Sequence, residues 1–352
     1  MNAHTATVLR VTLACFLGAA LPGCPTEPAS APPAWEVIAD SQSMKAALFG
    51  TWGSAANDVW AVGATTKEKP EFGPQVLHWD GTSWTRWKSG ATGELWWVAP
   101  GAAKGVLWMA GSEGQIVRRN ADGSFTVMHT PDKTQLFGIH AVTDSDVYAV
   151  GGPGSCSGTG PCGVIWHFDG STWSAAPGVS AAQLTEATWF KVWGSGAELW
   201  AVGSGGHMIH RVDGAWKEEP TGVTDTLFTV SGNASLQIAV GGFLDGVLLE
   251  NSGSGWKTAT IEGKLPGLNG VSVPAGGTAV AVGMNGAIWR RSGAGLWTQD
   301  KTFDDFLDNL HAVWKGESGD IFAVGGQIST PPFGAGALVH YGAATANKAI
   351  LP

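Results

Sequence analysis

Charged and aromatic residues that could bind or transform a ligand recur along the chain in short polar segments between apolar runs. Ten of them form a candidate binding rim, which the repeats described below bring together: Lys45, Glu94, Trp96, Trp97, Asp132, Glu186, Asp225, Asp304, Asp305 and Asp308. Two carboxylates at a suitable separation can act as general acid and general base on a glycosidic bond. Tryptophan faces can instead pack against a ligand without any reaction. The residue types at this rim therefore allow either binding or hydrolysis.

Three motifs of common enzyme classes are missing from the sequence: Gly-x-Ser-x-Gly, His-Glu-x-x-His and a phosphate loop. Residues 304–309 offer oxygen ligands for calcium, but without the spacing of an ordered calcium loop. His207 and His210 are three residues apart on a predicted strand, so their side chains point to opposite faces and cannot easily share a metal. We therefore predict no catalytic residues, metal or cofactor, and expect a binding protein rather than an enzyme.

Residues 1–23 have the pattern of an export signal. Arg10 and the amino terminus supply positive charge, and residues 11–21 form an apolar run too short to span a bilayer. The run ends in Leu-Pro-Gly-Cys, which resembles the bacterial lipobox, although Pro22 departs from its usual small residue. We predict a lipid on Cys24, a proline-rich linker over residues 24–33 and an outer-membrane lipoprotein, periplasmic or at the cell surface. The alternative is an ordinary cleaved signal with an incidental cysteine.

The charge and the remaining cysteines limit the partners further. With 20 Lys and Arg against 29 Asp and Glu, the formal net charge is −9, so nucleic acid is not expected. Cys156 and Cys162 are separated by flexible Gly, Ser and Pro residues, and in an oxidising compartment we predict a disulfide between them that closes a surface loop. Half of a zinc site is the alternative, although the sequence has no second cysteine pair for it.

One strand pattern, ending in Ala-Val-Gly or a close variant, recurs with a period of about forty residues. Its closing glycines are Gly63, Gly111, Gly151, Gly203, Gly241, Gly283 and Gly325. A second series of aromatic residues each follows a tight turn: Trp84, Phe125, Trp173, Trp216, Trp256 and Trp297, with Trp35 before them all. Both series have seven members, which predicts an all-β, seven-bladed β-propeller of four-stranded blades over residues 34–344, with a tail at residues 345–352.

The two series are out of phase by one, because Trp35 comes before the first glycine strand and no such aromatic follows the last. The last unit stops at residues 338–342 without a fourth strand of its own. We predict that residues 34–39 supply it and close the ring, since an open array would leave two unpaired strand edges.

The repeats resemble those of the Asp-box propellers of the sialidase superfamily, and most of all the type similar to photosystem II assembly factors. The residues that carry the resemblance are Trp-Ala-Val-Gly at 60–63 and Val-Leu-His-Trp-Asp-Gly-Thr-Ser-Trp at 76–84. The resemblance covers residues 34–342 and implies the propeller fold. It does not imply sialidase activity, because Tyr148 and Tyr341 both fall inside repeat strands and no arginine cluster is available for a substrate carboxylate.

Most of the 19 tryptophans occupy repeat positions and are expected to pack between blades. The exceptions that could reach a cavity are Trp87, Trp96, Trp97, Trp189 and Trp193, although a core position is the simpler expectation for each. The histidines that recur in the third strand, His78, His167, His210 and His340, indicate a structural hydrogen bond or an exposed edge.

The loops between second and third strands are long in units one, three and seven, at residues 64–74, 152–163 and 326–337. Propeller geometry places these loops on the same rim as the connections between blades, where rigid blades can position a site. We therefore expect an exported monomer that binds a protein or glycan of the cell envelope. A hydrolase or lyase using rim carboxylates and a structural envelope scaffold remain the alternatives.

Overall fold

The computed structural model describes residues 32–153, 162–261, 263–300, 305–329, 331–343, 345 and 348–351. These residues form seven sheets, each built on an antiparallel meander that runs from an innermost strand outward. The innermost strand of each sheet contacts the innermost strand of the next, and the last contacts the first. The sheets are therefore the blades of a closed seven-bladed β-propeller, which confirms the predicted fold class.

Blades one to four are each built from four consecutive strands, running from the innermost outward. Blade one contains β2 (Leu48–Ala55), β3 (Asp58–Thr65), β4 (Pro74–Trp79) and β5 (Trp84–Arg86). Blade two contains β6 (Leu95–Pro100), β7 (Leu107–Gly111), β8 (Gln115–Arg119) and β9 (Phe125–His129). Blade three contains β10 (Leu136–Thr143), β11 (Asp146–Gly151), β12 (Val164–Phe168) and β13 (Trp173–Ala175). Blade four contains β14 (Trp189–Ser195), β15 (Glu198–Gly203), β16 (Met208–Val212) and β17 (Ala215–Glu218).

The remaining three blades repeat the same order. Blade five contains β18 (Leu227–Asn233), β19 (Leu236–Gly241), β20 (Val247–Asn251) and β21 (Lys257–Thr258). Blade six contains β22 (Leu268–Ser272), β23 (Ala279–Gly283), β24 (Ile288–Arg291) and β25 (Trp297–Gln299). Blade seven contains β26 (Leu310–Lys315), β27 (Ile321–Gly326), β28 (Gly336–Gly342) and, outermost, β1 (Ala34–Ala39).

The strand β1 closes the ring as predicted. It pairs antiparallel with β28, with Trp35 opposite Tyr341 and Val37 opposite Val339. Glu36 strengthens this closure, because its carboxylate lies 3.1 Å from His340 Nδ1 and 3.3 Å from Lys348 Nζ and also accepts the Thr345 hydroxyl. Residues from both ends of the chain thus complete one blade.

The segment set aside as a tail in the sequence contributes a further short strand. The strand β29 (Ile350–Leu351) pairs parallel with β5 and makes blade one five-stranded. A two-residue strand has no alternation of its own in the sequence. The strand is recognised only from its pairing with β5 in the structure.

The glycine that ends each Ala-Val-Gly strand is required by a close backbone approach. A Cβ at Gly151 would lie 1.9 Å from the carbonyl oxygen of Gln135, and a Cβ at Gly241 would lie 1.9 Å from that of Thr226. Both carbonyls belong to the residue just before an innermost strand. The glycine therefore recurs because the end of the second strand passes very close to the residue that precedes the first strand.

Each third-strand histidine is held at the start of the second strand. His78 lies 2.8 Å from Asp58 and His167 lies 2.8 Å from Asp146, and the His78 ring also stacks on Trp60 with centroids 4.2 Å apart. His210 and His340 make the corresponding contacts with Glu198 and Asp320. These contacts are structural, as the repetition by blade suggested.

Helical structure is sparse in the described residues. The helix α1 (Ala181–Glu186) begins with a capping box in which Ser180 and Gln183 bond each other's backbone. Short 3-10 turns occur at Pro70–Phe72, Ser112–Gly114, Ser204–Gly206, Ala275–Gly277 and Met284–Gly286. None of the helices in this part of the chain is both long enough and apolar enough to cross a membrane.

The meander gives the propeller two different faces. On the connection face lie the links between blades and the loops between second and third strands. On the hairpin face lie the turns between first and second and between third and fourth strands. The axial space between them is lined by the seven innermost strands.

Candidate functional site

A β-bulge at the same place in every innermost strand shapes the axial mouth on the connection face. In each blade the strand pairing shifts between the first and third residues, for example between Leu136 and Gly138. The second residue is therefore left out of the ladder, and a bulge of this kind can re-aim its side chain. These second residues are Phe49, Trp96, Phe137, Phe190, Phe228, Asn269 and His311, and all of them line one cavity of ≈ 160 Å³.

Five of the seven side chains are aromatic and touch in an unbroken series, which we call the aromatic cup: Phe49, Trp96, Phe137, Phe190 and Phe228. The first two rings stack with centroids 4.2 Å apart, and the next three pairs follow at 5.2, 5.3 and 5.3 Å. Phe333 packs edge-on against Phe49 at one end, and Phe243 packs edge-on against Phe228 at the other.

The two polar members of the ring are already bonded to the backbone. Asn269 donates its side-chain N–H to the carbonyl of Leu310 at 2.8 Å, and His311 Nε2 lies 2.8 Å from the carbonyl oxygen of Gly326. Burial lowers the pKa of His311 to about 4, against the opposing effect of that carbonyl. The cup is therefore apolar and its polar edge is uncharged at neutral pH.

Trp97 and Lys191 form the floor of the cup. Together with Thr229 they line both this cavity and a second, larger one toward the hairpin face. Lys191 Nζ donates to the carbonyl of Phe137 at 3.1 Å and lies 3.1 Å from the centre of the Trp97 ring. Burial lowers the pKa of this lysine well below its usual value.

Exposed apolar side chains lie on the same connection face as the cup. Phe243 and Leu244, in the loop between β19 and β20, are 61% and 87% exposed, and Leu307, in the connection to blade seven, is 72% exposed. Large exposed apolar groups gathered at one place commonly mark an interaction surface.

The charged residues of the predicted rim that the structure describes lie in connections between blades, so the structure brings them to the connection face. Lys45 precedes β2, Glu94 precedes β6, Asp132 precedes β10, and Glu186 ends α1 before β14. Asp225 precedes β18, and Asp305 and Asp308 precede β26. Asp304 falls outside the described residues.

These rim residues sit one or two to a connection, and the contacts they make are local. Glu94 accepts the Ser112 hydroxyl at 2.6 Å, Asp308 accepts the Ser41 backbone N–H at 2.9 Å, and Glu186 lies 3.9 Å from His207. Within the described residues no three His, Cys, Asp or Glu side chains are grouped as a metal site. No contact found there joins two rim carboxylates into a catalytic pair. The rim residues, most of them acidic, lie on the same face as the cup.

The five tryptophans singled out in the sequence lie in different parts of the structure. Trp96, Trp97 and Trp193 line the axial cavities. Trp189 is buried in the packing between blades three and four, and Trp87 packs between Trp60 and Phe125 away from the axis. The simpler expectation of a core position is thus correct for two of the five.

Sequence reasoning missed most of the cup itself. The phenylalanines at positions 49, 137, 190 and 228 each stand second in an apolar strand and look like core residues, and Phe243 lies in a short loop. The signal available was their common position, one residue after the Leu or Trp that begins each innermost strand. When the seven repeats are aligned with one another, that position is aromatic in five of them.

The remaining predicted sites fall beyond what the structure describes. Cys24 and the linker up to residue 31 are outside the described residues, and so is Cys156. Cys162 is buried and near Thr188, with sulfur and oxygen 3.5 Å apart. Lipidation of Cys24 and the disulfide remain predictions.

Comparison with known proteins supports the fold. No protein-family model matches the chain, and no curated protein matches it. Virginiamycin B lyase from Staphylococcus aureus is similar in structure over 87% of this chain and 99% of its own, with a TM-score of 0.64 and 14% sequence identity. YCF48 from Cyanidioschyzon merolae is similar over 88% and 98%, with a TM-score of 0.63 and 15% identity.

A second structure of YCF48, bound to D1 peptide, is similar over 90% of this chain and 99% of its own, with a TM-score of 0.60 and 15% identity. Identities this low establish the fold and nothing about activity. With the closed ring of blades described above, these likenesses identify the chain as a seven-bladed β-propeller.

Proposed function

We propose that the chain is an exported, lipid-anchored binding module that holds a protein partner by taking one of its apolar side chains into the aromatic cup. The observation that carries this proposal is the unbroken contact of five aromatic rings from five consecutive blades, at an axial mouth beside exposed Phe243 and Leu244.

The cup has the character of an interface hot spot. Burying one large apolar side chain contributes about 2 to 3 kcal/mol, and hot spots are apolar or aromatic anchors enclosed by surface that excludes water. The exposed side chain of Phe243, which lines the cup, and those of Leu244 and Leu307 on the same face offer such surface. A partner segment can therefore gain most of its affinity from one inserted residue.

The acidic rim favours a basic partner. Glu94, Asp132, Glu186, Asp225 and Asp308 lie in connections on the same face as the mouth, whereas Lys45 is the cation among the described rim candidates. Complementary charge speeds association and selects partners more than it adds affinity. We therefore infer that lysines or arginines flank the inserted residue.

A protein partner fits this site better than a glycan. Sugars need several hydrogen-bonding groups beside an aromatic face, and in the cup Asn269 and His311 are already engaged with the backbone carbonyls of Leu310 and Gly326. The structure of YCF48 with D1 peptide supports the choice, because a propeller of similar fold is there bound to a peptide.

Panning a random peptide phage library tests the proposal. The target is the chain without residues 1–23 and with Cys24→Ser, so that no lipid interferes. We expect enriched peptides to share one large apolar residue flanked by Lys or Arg, and Phe190→Ser in the cup to weaken their binding at least tenfold. A glycan array on the same protein tests the alternative partner.

Phe125→Ser is the matched control, since Phe125 is a partly buried phenylalanine on the outermost strand of blade two. It should leave peptide binding unchanged. Equal losses in the two variants, or none in Phe190→Ser, would contradict a site in the cup.

A further inference from the structure

A second axial cavity, of ≈ 520 Å³, lies on the other side of the Trp97 and Lys191 floor and faces the hairpin face. All seven innermost strands line it. The fifth residues of these strands form its middle ring: Trp52, Ala99, His140, Trp193, Ser231, Ser272 and Trp314. This ring differs from the cup in combining three indoles with an imidazole and two hydroxyls.

The charged residue types that line this cavity have the opposite balance to those of the whole chain. Its lining holds Lys191, Lys315 and a single carboxylate, Glu317, and it includes no aspartate. The chain as a whole has a formal charge of −9. Glu317 is engaged in part by the Ala275 backbone N–H, which it accepts at 2.9 Å. The cavity thus presents two lysine amino groups and one carboxylate inside an acidic protein.

Neither lysine is held by a carboxylate through a hydrogen bond or ion pair in the described residues. Lys191 is bonded to the Phe137 carbonyl and lies over Trp97. Burial lowers the pKa of Lys315, nearby Glu317 raises it, and Arg290 lowers it again. An anion entering the cavity would supply the opposite charge that neither amine has from a bonded carboxylate, and would favour the protonated form of both.

His140 supplies a polar group aimed into the same space. It lines the cavity, and a Cβ at Gly194 of the neighbouring blade would lie 3.0 Å from its Nε2. Within the described part of the chain we find no hydrogen-bond partner for either of its ring nitrogens. Burial lowers its pKa to about 4, with Asp146 opposing, so the ring is neutral and offers one N–H and one acceptor. The side chain is only partly buried, so a ligand in the cavity can bond to the ring.

We propose that this cavity binds a small organic acid that carries a ring, with the carboxylate compensated by Lys315 and Lys191 and bonded by His140, and the ring packed on Trp52, Trp193 and Trp314. Aromatic acids and uronic acids share this chemistry, because both combine a carboxylate with a flat apolar face that an indole can cover. The proposal rests on other observations than those that carry the cup, although Lys191 borders both cavities.

Isothermal titration with two acid probes and their neutral counterparts tests the proposal. The probes are 2-naphthoate beside 2-naphthylmethanol, and glucuronate beside glucose. We expect one acid to bind at least tenfold more tightly than its neutral counterpart, and which acid does so distinguishes the two sources. Lys315→Met and His140→Phe should each weaken that binding at least tenfold, and Lys315→Arg should retain it.

Two controls separate this site from others. Lys104→Met removes an exposed lysine from the same face outside the cavity and should change nothing. Phe190→Ser in the cup should also leave acid binding intact, whatever it does to peptides. Failure of both acids to bind at millimolar concentration, equal binding of acid and neutral probe, or full binding by Lys315→Met would overturn the proposal.

Discussion

Two histidines near the axis carry ionisable side chains that the propeller fold itself does not require. His311 is buried and His140 is partly buried at the axis, and removal from water lowers the pKa of each to about 4. A histidine whose folded-state pKa is depressed stays neutral when folded but takes up a proton when unfolded, so it destabilises the fold as the pH falls below about 6.5.

Removing His140 should therefore flatten the acid side of the stability profile. Between pH 7.5 and pH 5 we expect wild type to lose roughly 2 kcal/mol more unfolding free energy than His140→Phe, because each unit below the unfolded pKa costs about 1.4 kcal/mol. Urea unfolding at the two pH values measures this difference. A parallel loss in both proteins would show that His140 is protonated in the folded state.

At the scale of strands, the bulge and the closing glycine act as one device. The bulge frees the second residue of each innermost strand to face the axis, and the glycine of the neighbouring strand lets the backbone pass close beside it. The device repeats in all seven blades. This repetition explains why the motif in the sequence ends in glycine even where the rest of it varies.

The substitution Gly151→Ala tests this device. Its Cβ would meet the Gln135 carbonyl oxygen, so the strands must separate, and we expect a loss of about 3 kcal/mol in the free energy of unfolding. Gly293→Ala is the control, since the nearest atom to its Cβ would be 3.7 Å away. A difference between the two variants below about 1 kcal/mol would show that the contact relaxes at little cost.

Strands and blades could be predicted from the sequence because their signals repeat. The Ala-Val-Gly strands, the turn-following aromatics and the phase difference that puts β1 in blade seven all stand in the sequence. The cup could not be predicted in the same way, because the bulge that turns Phe137 or Phe190 to the axis depends on strand pairing and not on residue type. The helix α1 was missed because six residues are too few for a period, although Ser180 and Gln183 form a recognisable capping box.

At the scale of the whole molecule, stability depends on joining residues that are distant in the chain. The pairing of β1 with β28 places Trp35 and Val37 in the packing of blade seven, and Glu36 gathers His340 and Lys348. Without β1, the β28 edge would be unpaired and able to pair with other chains.

A chain that begins at Asp40 should lose this closure. Compared with a chain that begins at Ala34, we expect Tm to fall by at least about 10 °C and soluble aggregates to form. Adding a synthetic peptide of residues 32–40 should restore much of the Tm by supplying the missing strand. An unchanged Tm would show that the other six blades hold the ring without it.

The direction of β1 also orients the molecule. Ala34 pairs with Gly342, where β28 ends on the hairpin face, and Ala39 pairs with Leu338 nearer the connection face. The polypeptide therefore enters the propeller from the hairpin side. If Cys24 carries the lipid proposed for it, the molecule stands with its organic-acid cavity toward the bilayer and its aromatic cup turned outward. Each mouth would then meet a different set of molecules, those released near the lipid on one side and passing proteins on the other.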